Sequence, residues 1–168
     1  MVFSSWDDSA RADITLLRDG AVTLFWRKAI YNEARESLRA LGYHEIAIAY
    51  RDAPGFRAEI SAGWRWQEQF GYPLWNGNLN ALNDGLRELP SQCVALCIED
   101  FDGLVAYDAA WAQGILDIFE LNARHHLLFG HRLIGLIQTN NARYQAPGLG
   151  ARGASWNRQE WLNASRGL

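Results

Sequence analysis

Apolar residues along this 168-residue chain recur at two different spacings, and the change from one to the other marks out its elements. Ile30, Ala34, Leu38 and Leu41 keep helical spacing, so a helix is expected over 27–41, with Gly42 as its stop. A strand follows at 44–50. After the turn Arg51-Asp-Ala-Pro-Gly, the positions Ile60, Trp64, Gln67 and Phe70 predict a helix over 56–70, with Gly63 weakening its middle. Leu79, Leu82, Leu86 and Leu89 set one face of a short helix that Pro90 ends. The run 94–98 is almost wholly apolar, which predicts a strand covered on both faces, as in a parallel sheet. The longest helical pattern spans 107–128, with Trp111, Ile115, Ile118 and Phe119, and 133–137 supplies a last strand. Near the start, the β-prone runs 14–18 and 21–26 flank Asp19-Gly20, a hairpin turn by its residues. That hairpin is the only antiparallel pair expected. Helices alternating with apolar strands imply an α/β fold with a mainly parallel sheet and right-handed crossovers.

The length suits one domain, or one domain with an extension, and allows a sizeable core. Hydrophobic residues make up 49% and charged residues 21%, which excludes wholesale disorder. A net charge of -3 with no lysine-arginine run disfavours direct nucleic-acid binding. The start lacks a basic segment followed by an apolar stretch, and no run approaches a membrane span, so a cytoplasmic protein without a membrane partner is expected. Cys93 and Cys97, four apart on a strand, lie ~13 Å from each other, too far for a disulfide, and two free thiols suit a reducing compartment. Eight tryptophans exceed what a core of this size needs, so some are expected at a partner surface.

The stretch from Pro73 to Leu86 is the unusual one. Its leucines point into a core, yet the opposite face carries Asn80, Asn83, Asp84 and Arg87 at one-turn spacing. Asn and Asp compete for backbone hydrogen bonds and are poor helix-interior residues, so three on one short face sacrifice helix propensity. Ahead of the helix, Asn76 or Asn78 can cap free N–H groups, Gly77 allows a positive φ, and Pro73 stiffens the approach. Leu74 and Trp75 then sit on a constrained, exposed-looking loop.

The run from Trp75 to Leu86 resembles the signature of the barstar family, intracellular inhibitors of secreted ribonucleases. The family pattern is aromatic-Gly-x-Asn-Leu-Asp-Ala-Leu-x-Asp-x-Leu, matched here by Trp75, Asn78, Leu79, Asn80, Ala81, Leu82, Asp84 and Leu86. The first helix aspartate is Asn80 here, the tryptophan before the second is Asn83, and the glycine comes one place later, at Gly77. Beyond this run the resemblance rests on the order of elements over about residues 43–139. It implies a barstar-like domain there; residues 1–42 and 140–168 lie outside it, and their own patterns predict a hairpin plus helix joining the same sheet and a C-terminal tail. It also implies a cytoplasmic immunity protein that plugs a nuclease toxin, most likely in kind a ribonuclease, one to one. Asp84 is then the phosphate mimic in a cationic active site, Trp75 the rigid anchor, and Leu74, Asn76, Gly77, Asn78, Asn80, Asn83 and Arg87 the surrounding contacts. The family's second contact acid, late in the long helix, falls near Leu121, where this chain offers Glu120.

Other chemistries are less complete. The literal Gly-x-Gly-x-x-Gly at 148–153 lacks the strand before it, the helix after it and the downstream acid that a dinucleotide site needs. His44, His125, His126 and His131 have no metal-ligand spacing. Glu99, Asp100 and Asp102 fall where open α/β sheets bind ligands, but no nucleophile or phosphate cradle accompanies them. No enzyme, cofactor or metal is therefore expected. The alternatives are a barstar-fold interaction module with a non-nuclease partner, or a small α/β hydrolase-like enzyme using Asp100 or Asp102.

Overall fold

A computed structural model describes residues 11–147 and 154–168. The glycine run at 148–153 and residues 1–10 lie outside the described residues. In chain order the elements are α1 Ala12–Leu17, β1 Val22–Phe25, α2 Lys28–Ala40, β2 His44–Ala49, α3 Ala53–Gly63, α4 Trp66–Phe70, α5 Leu79–Gly85, β3 Cys93–Glu99, α6 Phe101–Tyr107, α7 Ala109–Leu127, β4 Arg132–Gln138 and β5 Ser155–Trp156, with a final 3-10 turn at Asn163–Arg166.

The five strands form one parallel sheet in the order β2-β3-β4-β1-β5. Its two faces are read directly from alternation along the central strands. Val94, Leu96 and Ile98 of β3 and Leu133 and Ile137 of β4 join the larger core with α3, α4, α5, α6 and α7. Ala95, Cys97, Ile134 and Leu136 face the other way and pack with Ile30, Tyr31 and Leu38 of α2. Gly135 falls on the larger-core face, where a Cβ would stand 2.9 Å from the Phe119 ring, so α7 lies close against β4 at that point.

Three sequence expectations are corrected here. The segment 14–18 is helical, not the first arm of a hairpin, and β1 pairs parallel with β4 and β5. All four residues of β1 are buried, as a strand covered on both faces must be. Asp13 anchors α1 from within: its carboxylate accepts from the Ile14 N–H, the Arg11 guanidinium and the Tyr43 hydroxyl. Asp19-Gly20 still turns the chain, but between a helix and a parallel strand.

Next, the helix expected over 56–70 breaks in two. Arg65 is left-handed, with φ 52°. Trp64 and Trp66 are both buried, and residues two apart lie on opposite sides of a continuous helix, so the kink lets both indoles face inward. Last, Tyr107 belongs to α6, a helix that was not expected. Asp108 separates it from α7 by accepting from the Trp111 N–H at 2.9 Å.

The tail packs as an arm against the end of β1. Glu160, fully buried, accepts from the Trp26 and Arg27 N–H groups and from Asn157 Nδ2, fixing the tail to the end of β1. The buried Arg166 stacks on Trp156 and donates to the carbonyls of Ala142, Glu160 and Trp161. Trp161 itself stays exposed. Replacing Glu160 by Ala leaves several buried donors without an acceptor, so we expect a loss on the order of 1–3 kcal/mol in urea unfolding. An unchanged midpoint would show that the tail does not brace β1.

Candidate functional site

The loop before α5 is held by side chains from α3 and α7 and by one of its own. Three consecutive carbonyls each accept from a different residue: Asn76 from Arg57 at 3.3 Å, Gly77 from the Trp111 indole at 2.9 Å, and Asn78 from the Trp75 indole at 2.8 Å. The Asn76 side chain accepts from the Asn78 N–H, closing an Asx turn, and the Asn78 side chain accepts from the Ala81 N–H as the helix N-cap. Gly77 has φ +93°, the left-handed region that the sequence reserves for glycine.

Trp75 is not the exposed anchor that its loop position suggests. It has no exposed surface, stacks on Trp111 at 5.6 Å, and donates from its backbone N–H to the Ser61 hydroxyl. The reason is economy of burial: a large ring with one N–H can enter a core when that N–H finds a carbonyl, and Asn78 supplies it.

Below the loop, α5 sits on the core by close contact. Leu82 and Leu86 are buried. A Cβ on Gly85 would stand 2.5 Å from the Trp66 ring, and one on Gly114 of α7 would stand 2.5 Å from Leu79, so neither close approach leaves room for a side chain. Asn83 is half-buried and its side-chain oxygen accepts from Asn122 at 2.8 Å, tying α5 to α7. At the end of the helix, His126 Nε2 lies 2.7 Å from the Leu86 carbonyl. A carbonyl only accepts, so Nε2 carries the proton.

The outward face therefore holds Leu74, Asn76, Asn78, Asn80, Asp84 and Arg87, all exposed, with Gly77 half-buried between them. The Asp84 and Arg87 side chains are each about two-thirds exposed and lie 4.0 Å apart, a loose pair that solvent screens. Exposed Tyr72 and Tyr107 border the same loop, Tyr107 edge-on to Trp111. Sequence reasoning missed Tyr107 because it read as the start of the long helix and not as the end of a separate one.

Glu120 is removed from this face. It is buried on the far side of α7, where its carboxylate accepts from the Ala21 N–H at 2.8 Å and holds the start of β1. The exposed residue at that level is its neighbour Leu121.

The acids at the sheet's C-terminal end are engaged with one another's neighbours. Asp100, left-handed at φ 55°, binds Asn140 at 3.0 Å and Lys28 at 3.1 Å. The Asn140 bond, with Lys28 beside it, holds the Asp100 carboxyl below its usual range. Asp102 accepts from the backbone and side chain of Asn140, and Glu99 meets Arg35 and Lys28. These contacts tie β3, β4 and α2 together at one end. Cys93 and Cys97 are both free, and among the described residues no group of three or more His, Cys, Asp or Glu is placed to hold a metal ion. Nor is any described helix long and apolar enough to cross a membrane.

No family model, curated protein or solved structure matches this chain.

Two predictions follow from this geometry. Trp75→Ala should cost ~3–5 kcal/mol of stability, as for other buried aromatics, and should free the Asn78 carbonyl. A variant that melts like the parent would mean that the loop is not built on this indole.

The other concerns pH. Burial holds the His126 pKa below its ordinary value, with His125 and His131 adding repulsion. The unfolded chain takes up this proton first, at ~6.5, so the stability contributed by neutral His126 is complete above that pH and falls as the pH drops toward the folded value. Melting temperature measured from pH 7.5 down to 5.5 should decline, and His126→Gln should flatten the decline. Equal slopes in both proteins would assign it to other groups.

Proposed function

We propose that this chain is a barstar-like inhibitor, an immunity protein that blocks the active site of a nuclease toxin, a ribonuclease first of all, in a one-to-one complex. The observation that carries the reading is the pinned loop and helix from Asn76 to Arg87. Its three held carbonyls and its cap fix the backbone before any partner arrives, and the exposed side chains from Asn76 to Asp84 are short amides and one carboxylate. Preorganisation of that kind lowers the ordering cost of association.

A nuclease must bind a phosphodiester and stabilise added negative charge, so its active site is cationic. Asp84 supplies a carboxylate to such a site on a backbone that offers no bond to cleave. Asn80, one helical turn before it, and Asn76 in the loop add amides that both donate and accept, suited to the target's backbone around the pocket. The apolar contacts of the interface come from Leu74, Tyr72 and Tyr107, which take over the anchoring part first given to Trp75. The sequence pattern from Trp75 to Leu86 and the element order from β2 to β4 support the same reading.

The test is titration with a small basic ribonuclease, one encoded by a neighbouring gene where such a gene exists, followed by calorimetry and by nuclease assay. Asp84→Ala should weaken binding by at least ~2 kcal/mol, the level of an interface hot spot, while the melting temperature stays nearly constant because the side chain is mostly in water. Equal affinity for the parent and the variant would place the contact on another surface.

A further inference from the structure

Asn76-Gly77 is the single Asn-Gly step of the chain, and three Asp-Gly steps accompany it: Asp19-Gly20, Asp84-Gly85 and Asp102-Gly103. Such steps are chemically special because glycine, with no side chain, lets its backbone nitrogen reach the side-chain carbonyl of the residue before it. The fold separates the four by what holds that nitrogen. The Gly20 N–H donates to the Leu17 carbonyl at 3.3 Å, and the Gly103 N–H to the Asp100 carbonyl at 2.9 Å. Gly85 lies in α5, where a helical N–H is bonded one turn back. Alone of the four, the Gly77 N–H has no acceptor among the described residues, because the turn around it is closed by the Asn78 N–H.

Both reacting groups are activated. The Asn76 side-chain oxygen already accepts from the Asn78 N–H at 2.9 Å, so the atom that turns negative when its carbon is attacked has a donor in place. The Arg57 guanidinium donates to the Asn76 backbone carbonyl at 3.3 Å, which draws electron density from the peptide ending in the Gly77 nitrogen and makes that N–H easier to deprotonate. This long bond is the only one on that peptide group, so its plane can turn toward the side chain. Space is not limiting: a Cβ at Gly77 would meet nothing closer than 3.4 Å, and Asn76 is open to water. Nucleophile and electrophile belong to one dipeptide, so no second reactant has to be collected for ring closure.

We propose that Asn76 is a self-modification site, at which the chain converts its own amide into a carboxylate. The Gly77 nitrogen gives its proton to hydroxide and bonds to Asn76 Cγ. The tetrahedral carbon then expels the side-chain nitrogen, which takes a proton from water and leaves as ammonia, and a cyclic imide remains. Water opens the imide at Cγ to give aspartate, or at the backbone carbonyl carbon to give iso-aspartate, whose main chain runs through the former side chain and is one methylene longer. One water is consumed for each ammonia released, and no oxidant, reductant or cofactor takes part. Either product adds a negative charge to the loop, and the iso form also lengthens the pinned backbone, so the outward face changes with the age of the molecule. The step needs no partner and stands whether or not this face blocks a nuclease.

Peptide mapping by mass spectrometry of the full chain, kept folded at mildly alkaline pH, tests this. Position 76 should gain the mass of an acid at least tenfold faster than any other asparagine, with ammonia released in step and iso-aspartate detected by enzymatic methylation. Asn76→Gln, whose longer side chain closes a ring less readily, should remove the fast phase of ammonia release. In urea at the same pH the donors from Asn78 and Arg57 are lost, so position 76 should react more slowly there than in the folded chain. An amide retained at position 76 overturns the inference. A reaction in urea as fast as in the folded chain, or faster, overturns it as well, since the pinned loop would then shield Asn76 or leave it to its sequence alone.

Discussion

A parallel sheet has no face that it can leave in water, and this requirement governs the rest of the molecule. Its central strands, β3 and β4, carry apolar residues on both sides, so helices must cover each face. The larger layer, from α3 to α7, covers Val94, Leu96 and Ile98 and their neighbours. The other layer is thinner, and α2 does most of its covering through Ile30, Tyr31 and Leu38. Where α2 and α1 end, the last strand is covered incompletely and an apolar groove opens.

On the thicker side, the same need for cover places tryptophans where they also organise the loop. Trp75 and Trp111 stack within the core, and their indole N–H groups, which cannot be buried unpaired without cost, find the carbonyls of Asn78 and Gly77. Core packing and loop geometry are therefore one arrangement. A substitution at either ring alters stability and the shape of the outward face together, whereas Asp84 and Asn80 can vary with little effect on the fold. That division leaves the exposed face free to vary while its support stays constant.

Much of the fold could be read from the chain because the periods were long and consistent. The helix around Leu38, the all-apolar β3 and the leucines of α5 all stand as expected. Errors came where a local signal had two structural outcomes. Asp19-Gly20 between apolar runs fits a hairpin, but it equally fits the step from a helix into a buried strand, and pairing with β4, over a hundred residues away, decided between them. The pattern around Trp64 and Trp66 looked continuous because a single left-handed residue leaves the spacing of apolar letters almost intact.

For the site, residue type was legible and direction was not. Sequence spacing put Asn80, Asn83, Asp84 and Arg87 on one exposed face; Asn80, Asp84 and Arg87 lie there, while Asn83 is half-buried and bonded to Asn122. It could not show that Trp75 turns inward or that Glu120 faces β1, because both depend on distant partners, Asn78's carbonyl within the Trp111 stack and the Ala21 N–H. With Glu120 buried, the charge of the α5 face rests mainly on Asp84, partly offset by Arg87. A partner bound there must bring one strong cationic pocket with apolar and amide-compatible surroundings, not a broad basic surface. Such a complex should owe more to shape and hydrogen bonding than to long-range attraction, and so its association rate should depend only weakly on salt.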